Sequence, residues 1–412
     1  MAAYVLFSPQ AQPDAWAIFG ILALTLLPFS LLGPFVSVVL DRWPRQRVIV
    51  GTDLGRGVIC LALALLVVGG EGHSGWRYAM FFVAVLLAMS MNRFLLAGLS
   101  AGLPHTIDAD EYLSANAVMP TIGPLGVLLG SGLALAVRLI GQMYVPSYVA
   151  DAAIFTIAAV GFAMSVLLAM RIKKHQLGPD AEQQRTVGQI ASGLADAFRL
   201  LKATPIAATG LISIGAQRLA YGVVMVAVIL GYRNYFYTPN QIDLAVAGMG
   251  LWAAVTGVGF LLSALVTPPL AGRVSLRQAM TGLLLLCAVV QLFLGSMFVQ
   301  PALLVAGFLL GLGSQSFKIC VDTLVQAHVD NDYKGRVFVI YDMIFNAALV
   351  LAALICALVL PPEGLSLPVF IAVGIAFALI AAAFWWLTRG IDPAEFAKGT
   401  EALLGGREKP AG

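Results

Sequence analysis

An all-α, polytopic membrane protein is the fold class this sequence predicts, and three observations predict it. Of 412 residues, 60% are hydrophobic and 11% are charged, with a mean hydropathy of +0.91, whereas soluble domains run at about 45–50% apolar and about 25% charged. Apolar runs follow one another along the chain, each close to the ~20 residues that cross a ~30 Å hydrocarbon core as a helix. No stretch alternates apolar and polar residues over the ~10-residue segments from which membrane β-barrels are built. A water-soluble globular protein is excluded.

The runs, bounded by Gly, Pro or charge, fall at 15–40, 48–69, 76–101, 114–140 and 148–171, then at 205–231, 244–270, 275–298, 301–327, 336–360 and 365–388. They predict eleven helices, five before and six after one hydrophilic break. The expected organisation is an N-terminal bundle at 1–171, a linker at 172–204, a six-helix bundle at 205–389 and a tail at 390–412. Within the linker, Val187, Ile190, Leu194, Phe198 and Leu201 recur at helical spacing opposite Asp196, Arg199 and Lys202, which predicts an amphipathic helix at the membrane surface.

Charge placement predicts orientation, because short cytoplasmic loops carry the Lys/Arg excess. Seventeen Lys and Arg residues, from Arg42, Arg45 and Arg47 through Lys334 and Arg336 to Lys409, fall in one alternating set of loops; Arg77, Arg138 and Arg233 fall in the other. The first set, with the C-terminus, is expected in the cytoplasm of a cell-membrane protein. Eleven spans would then start the chain outside, and the short apolar segment Ala2–Ser8 reads as the end of a helix whose beginning is absent. A twelve-helix design lacking its first helix is the expectation.

The two halves resemble each other weakly, with PHTIDADEYL at 104–113 matched by AHVDNDYKG at 327–335. Duplicated halves are a transporter trait. The net charge of +3 and the lack of a basic arm give no footing for nucleic acid. Cys60, Cys287, Cys320 and Cys356 lie in apolar runs without a CxxC pair, so they predict packing and no metal site. His73, His105, His175 and His328 are scattered among loops, no nucleotide-binding loop is present, and no enzyme or cofactor is expected.

Gly33–Ile49, GPFVSVVLDRWPRQRVI, resembles the loop signature between the second and third helices of the major facilitator superfamily, with Asp41, Arg42 and Arg45 in matching places and Ser37, Pro44 and Gln46 departing from it. The segment around it, and DNDYKGRV at Asp330–Val337, look like the branch that includes drug and enterobactin exporters. The resemblance implies two helical bundles and a conformational latch of Asp41, Arg42, Arg45 and Arg336 on the cytoplasmic side. The antiporter pattern expected near Gly123, Pro124, Gly126 and Gly130 is incomplete, since Ser131 follows Gly130 where the pattern has Pro. Close helix packing is the better reading of those glycines.

Ionisable residues inside spans are costly and mark function. Arg218 lies about 20 Å into its helix, and Arg93 and Lys318 about 25 Å from the outer ends of theirs. In the resembling family's layout these three helices line the central cavity, which makes Arg93, Gln217, Arg218, Tyr221 and Lys318 the candidate substrate residues. Asp322, one turn after Lys318, and Asp342 are candidates for proton coupling, with Asp53 next; a closed network of Lys318, Asp322 and Asp342, and a pair of Asp53 with Arg56, are the structural alternatives. The expected function is secondary transport of a small organic molecule, outward and proton-coupled, by a monomer in the lipid bilayer. An importer of the same fold, or a non-transporting sensor, is the alternative.

Overall fold

The computed structural model describes residues 14–32, 43–68, 75–102, 126, 129–173, 176–177, 187–238, 241–329 and 331–403. Among them the regular structure is helical, with no strand. The helices are α1 (Ala15–Leu32), α2 (Arg45–Val68), α3 (Gly75–Gly102), α4 (Leu129–Gly141), α5 (Ser147–Ala169), α6 (Val187–Ala203), α7 (Pro205–Asn234), α8 (Ile242–Arg273), α9 (Leu276–Phe293), α10 (Gln300–His328), α11 (Asn331–Val359), α12 (Leu367–Thr388) and α13 (Pro393–Leu403). Eight of the described helices, α2, α5 and α7 to α12, are long and apolar enough to cross a membrane, and shorter apolar segments occupy 15–27, 83–92 and 129–141 in the other three runs. Backbone N–H and C=O groups have no water to bond in a hydrocarbon core, so helices that satisfy them internally are what such runs must form.

The chain forms two compact units, one of Leu31–Ile190 and one of Met1–Ser30 with Ala191–Gly412. In the smaller unit α2 packs between α3 and α5. In the larger unit α8 lies along α10, α9 along α12, and α7 along α11 and α10. Ala15 and Ile18 of α1 join the larger unit's buried apolar cluster with Tyr221, Val224, Trp252, Leu310 and Phe377. A second cluster gathers Leu201, Ile214, Phe317, Tyr341, Phe384 and Phe396. On α7 the first cluster holds Tyr221 and the second Ile214, and on α10 they hold Leu310 and Phe317. The stretches between them carry Gln217, Arg218 and Ser314, a polar layer between two apolar ones, and Lys318 and Asp322 extend it along α10 beside the second cluster.

Two details depart from expectation. In α6 the buried positions among the described residues are Gly193, Ala197 and Leu201, while Phe198 is exposed. The turn-to-turn spacing of 197 and 201 defines the covered stripe, and Phe198 is rotated about 100° from Ala197. The second concerns Gly126 and Gly130, where a side-chain carbon would meet nothing within 4 Å among the described residues, so no described neighbour carries the expected packing.

Close approach occurs instead between α8 and α10. A Cβ on Gly259 would run into the carbonyl of Phe308 and stand 3.0 Å from the amide nitrogen of Leu312; Gly307 and Gly311 face Trp252 and Thr256 in the same seam. Backbone atoms cannot step aside as a side-chain end can. Gly259→Val is expected to lower stability by about 1–3 kcal/mol or more, whereas Gly250→Val, at a position with open space, leaves the melting temperature of detergent-solubilised protein within a degree or so.

Candidate functional site

The polar layer of the larger unit begins on α7. Gln217 is fully buried and Arg218 is 4% exposed. The Gln217 amide Nε2 donates to the Ser314 hydroxyl of α10 at 2.7 Å, and its Oε1 has no partner among the described residues. The guanidinium of Arg218 lies 4.5 Å from the ring centroid of Phe345 on α11 and 5.6 Å from that of Tyr221. Ring faces attract a cation but offer its in-plane N–H groups no acceptor. The Nε of Arg218 accordingly has no hydrogen-bond partner among the described residues.

One turn past Ser314, Lys318 Nζ pairs with Asp322 Oδ2 at 2.6 Å and lies 5.2 Å from the Tyr341 ring centroid. The pair is about a quarter exposed, at 27% and 26%. Ser314, Lys318 and Asp322 follow at intervals of four and share one face of α10. The second oxygen of Asp322, Oδ1, is sealed from solvent without a hydrogen-bond partner among the described residues. Tyr341 and Phe345, also four apart, stack on α11 with centroids 6.4 Å apart and planes at 21°. Asp322 and Tyr341 are both within electrostatic reach of Arg218, and the Tyr341 hydroxyl approaches Asp322 without an aligned hydrogen bond. Three helices thus place two cations, one carboxylate and a stacked aromatic pair in one cluster, open at Lys318 and Asp322 and closed at Arg218.

Of the residues singled out in the sequence, Gln217, Arg218, Tyr221, Lys318 and Asp322 come together here. Asp342, one residue beyond Tyr341, is exposed. Arg93 belongs to α3, but its side chain lies outside the described residues, as do Asp41, Arg42 and the His105–Tyr112 segment. Arg45 donates to the carbonyl of Leu177 at 2.9 Å, and Gln46 to that of Ala169 at 3.2 Å, closing the end of α5. Arg336 lies over Tyr333 at 5.2 Å and against Gly193 of α6, where a Cβ would come within 3.0 Å of its Nε. Arg45 and Arg336 belong to different units, each with local partners.

Asp53 sits in a separate network of the smaller unit. It is 2% exposed, pairs with Arg56 and accepts from the Ser165 hydroxyl of α5 at 2.5 Å. Arg56 donates to Asn92 Oδ1 of α3 at 2.7 Å and lies over the Phe162 ring at 4.4 Å. The carboxylate and guanidinium that the sequence pairs on one helix therefore also tie three helices together. Ser165, Asn92, Ser314, Tyr341 and Phe345 were not singled out in the sequence, and only Ser314 and the aromatic pair carried a readable signal, their spacing of four.

Beyond the spans, α13 docks on α8, α9 and α10. Phe396 is buried, and Glu395 meets His328 Nε2 at 2.9 Å and Lys398 Nζ at 2.7 Å. The Lys398 hydrogen bond, with a smaller contribution from the His328 side, holds the Glu395 carboxyl below its ordinary value of 4.5. The Lys398 part lies within α13 and is kept whether or not the helix docks; the His328 part crosses to α10, so it favours the docked state and is lost as pH falls through the carboxyl's docked value. A nitroxide at Glu401 should keep the same mobility from about pH 7 to about pH 5 and become more mobile below about 4.5; Glu395→Gln should remove the pH dependence.

Comparison with known proteins agrees with this architecture. The sequence profile of the Major Facilitator Superfamily matches residues 210–410. An uncharacterised MFS-type transporter of Mycobacterium tuberculosis is 30% identical over 387 residues, covering 92% of this chain and 84% of the relative. BacE of Bacillus subtilis, provisionally named a bacilysin exporter, is 27% identical over 143 residues, 32% of this chain and 34% of its own. Among solved structures, the nucleoside transporter NupG superposes with a TM-score of 0.63 at 14% identity, covering 94% of this chain and 93% of its own. A mutant form of the peptide transporter POT gives 0.64 at 14%, covering 94% and 90%. At such identities the two structures show the fold alone. The chain belongs to the major facilitator superfamily: it is a multi-pass membrane transporter for a small molecule and not an enzyme.

Proposed function

We propose that this protein is a proton-coupled secondary transporter that exports a small organic solute across the cell membrane by alternating access of its two units. The observation that carries the reading is the Lys318–Asp322 pair: one carboxylate oxygen is held by an ammonium and the other has no hydrogen-bond partner among the described residues. Such a carboxylate exchanges its ionic partner for a proton when that partner is drawn away. Gln217, Arg218, Tyr221 and Lys318 form the solute site of the larger unit, and Arg93 is the smaller unit's candidate; Asp322 carries the proton, with Asp342 and Asp53 as the further carboxylates to test. Asp41, Arg42, Arg45 and Arg336 act as the cytoplasmic latch. The Lys/Arg distribution supports a cytoplasmic C-terminus. Outward transport is supported by the likeness of the Gly33–Ile49 and Asp330–Val337 segments to drug and enterobactin exporters and by the partial match to BacE. The protein acts as a monomer.

The test is the full chain in liposomes with a luminal pH dye, challenged from outside with panels of organic acids, amphiphilic amines and zwitterions. In an antiporter, solute entry drives protons out and the lumen turns alkaline. Acidification with solute entry would identify a symporter, the importer reading. Solute-free behaviour throughout, with no counterflow of any panel member, would leave only a non-transporting role.

A further inference from the structure

The polar layer contains two charged side chains of opposite sign, each with a sealed atom that has no hydrogen-bond partner among the described residues: Arg218 Nε and Asp322 Oδ1, with the nearby Tyr341 hydroxyl unpartnered as well. Neither completes the other, although they are close enough to interact electrostatically. A buried guanidinium surrounded by Phe345 and Tyr221 needs an in-plane acceptor with two oxygens. The carboxylate oxygen needs a donor; the Tyr341 hydroxyl beside it is not aligned to give one, and an ammonium is the strongest. Stacked Tyr341 and Phe345 lie between the two cations, with Arg218 over one ring and Lys318 over the other. They present apolar surface beside both charged ends.

From this we infer that the solute is a zwitterion, an amino acid or short peptide with an aromatic or apolar side chain, whose carboxylate lies on Arg218 and whose ammonium lies on Asp322. The inference rests on the transporter reading above and adds the substrate class. It also fixes the sign of coupling. An ammonium and a proton compete for the same oxygen of Asp322, so loading the solute expels the proton, as exchange requires. A plain carboxylate anion would do the reverse, because its negative charge beside Asp322 favours protonation. A simple amine would leave Arg218 without its acceptor. Against the protonated site, the ammonium takes the place of the proton at Asp322 and the solute carboxylate offsets the charge of Arg218. Asp342, the next carboxylate on α11, is exposed.

The probes are phenylalanine and alanyl-phenylalanine, each with its N-acetyl and C-amide forms, added to the detergent-solubilised full chain in a thermal-shift titration. At least one zwitterion should bind about tenfold or more tighter than both of its singly charged forms, since each modification removes one charge-assisted hydrogen bond. Arg218→Lys, which keeps the charge and loses the planar fork, should weaken the zwitterion and the C-amide unequally, with the amide unaffected. Asp322→Asn should weaken the zwitterion and leave the N-acetyl form unchanged. The melting temperature of each ligand-free variant shows whether it is folded. Equal binding of a zwitterion and its N-acetyl form, or binding of amides alone, overturns the inference. If no probe binds while the liposomes still carry another solute, the substrate class is wrong and the transporter reading stands. If nothing binds and the liposomes carry nothing, both fail.

Discussion

Replacing Asp322 by Asn is expected to abolish proton-driven movement of solute while leaving solute exchange partly intact. Asn keeps the size and hydrogen-bonding shape of the side chain but can neither hold a proton nor form an ion pair with Lys318. In wild-type protein the 2.6 Å pair ties the carboxylate to one turn of α10, and that tie is what a proton or a charged solute would replace. Concentrative transport under a pH gradient should fall to background. Counterflow, which needs the site to open alternately but needs no proton, should persist at roughly a third to a tenth of wild type if the lost contact is worth about 1 kcal/mol. Measuring both in one liposome preparation separates coupling from folding. Undiminished proton flux with solute in the variant would remove Asp322 from the coupling role and pass it to Asp342 or Asp53.

Asp53 makes the contrasting case. Its carboxylate faces Arg56 and Ser165, and Arg56 in turn reaches Asn92 and Phe162. Asp53→Ala leaves a guanidinium buried with its anion gone, a change that costs about 3–5 kcal/mol. A drop in melting temperature on the order of 10 °C follows for a unit of this size. Arg56→Met together with Asp53→Leu should recover much of that loss, because an apolar pair of similar volume carries no unpaired charge. The same double variant asks whether Asp53 couples protons. Retained proton-driven transport in it assigns Asp53 to structure, and a stable protein without coupling would assign it to transport.

The helical class and the charged residues of the polar layer were legible because a Lys, Arg or Asp within twenty apolar residues is conspicuous. Arg218, Lys318 and Asp322 were found that way. Phe345 and Tyr341 were not, since an aromatic residue in an apolar helix looks the same whether it faces lipid, core or a cation. Ser165 is 112 residues from Asp53, and no local spacing announces such a partner. Glycines are opaque for a related reason: Gly126 and Gly130 have the four-residue interval of a packing motif and no near neighbour among the described residues, while Gly259 has no motif and meets a backbone carbonyl. Periodicity reports which residues share a face; what that face meets depends on the partner helix.

The seam of Gly259, Gly307 and Gly311 has a use for spectroscopy. Helices held backbone to backbone cannot slide or hinge against each other without a clash, so a pair of labels on α8 and α10 should report one constant distance throughout turnover. That pair is an internal ruler, against which any change between a label on α10 and one in the other unit can be read as true relative motion, free of local rearrangement.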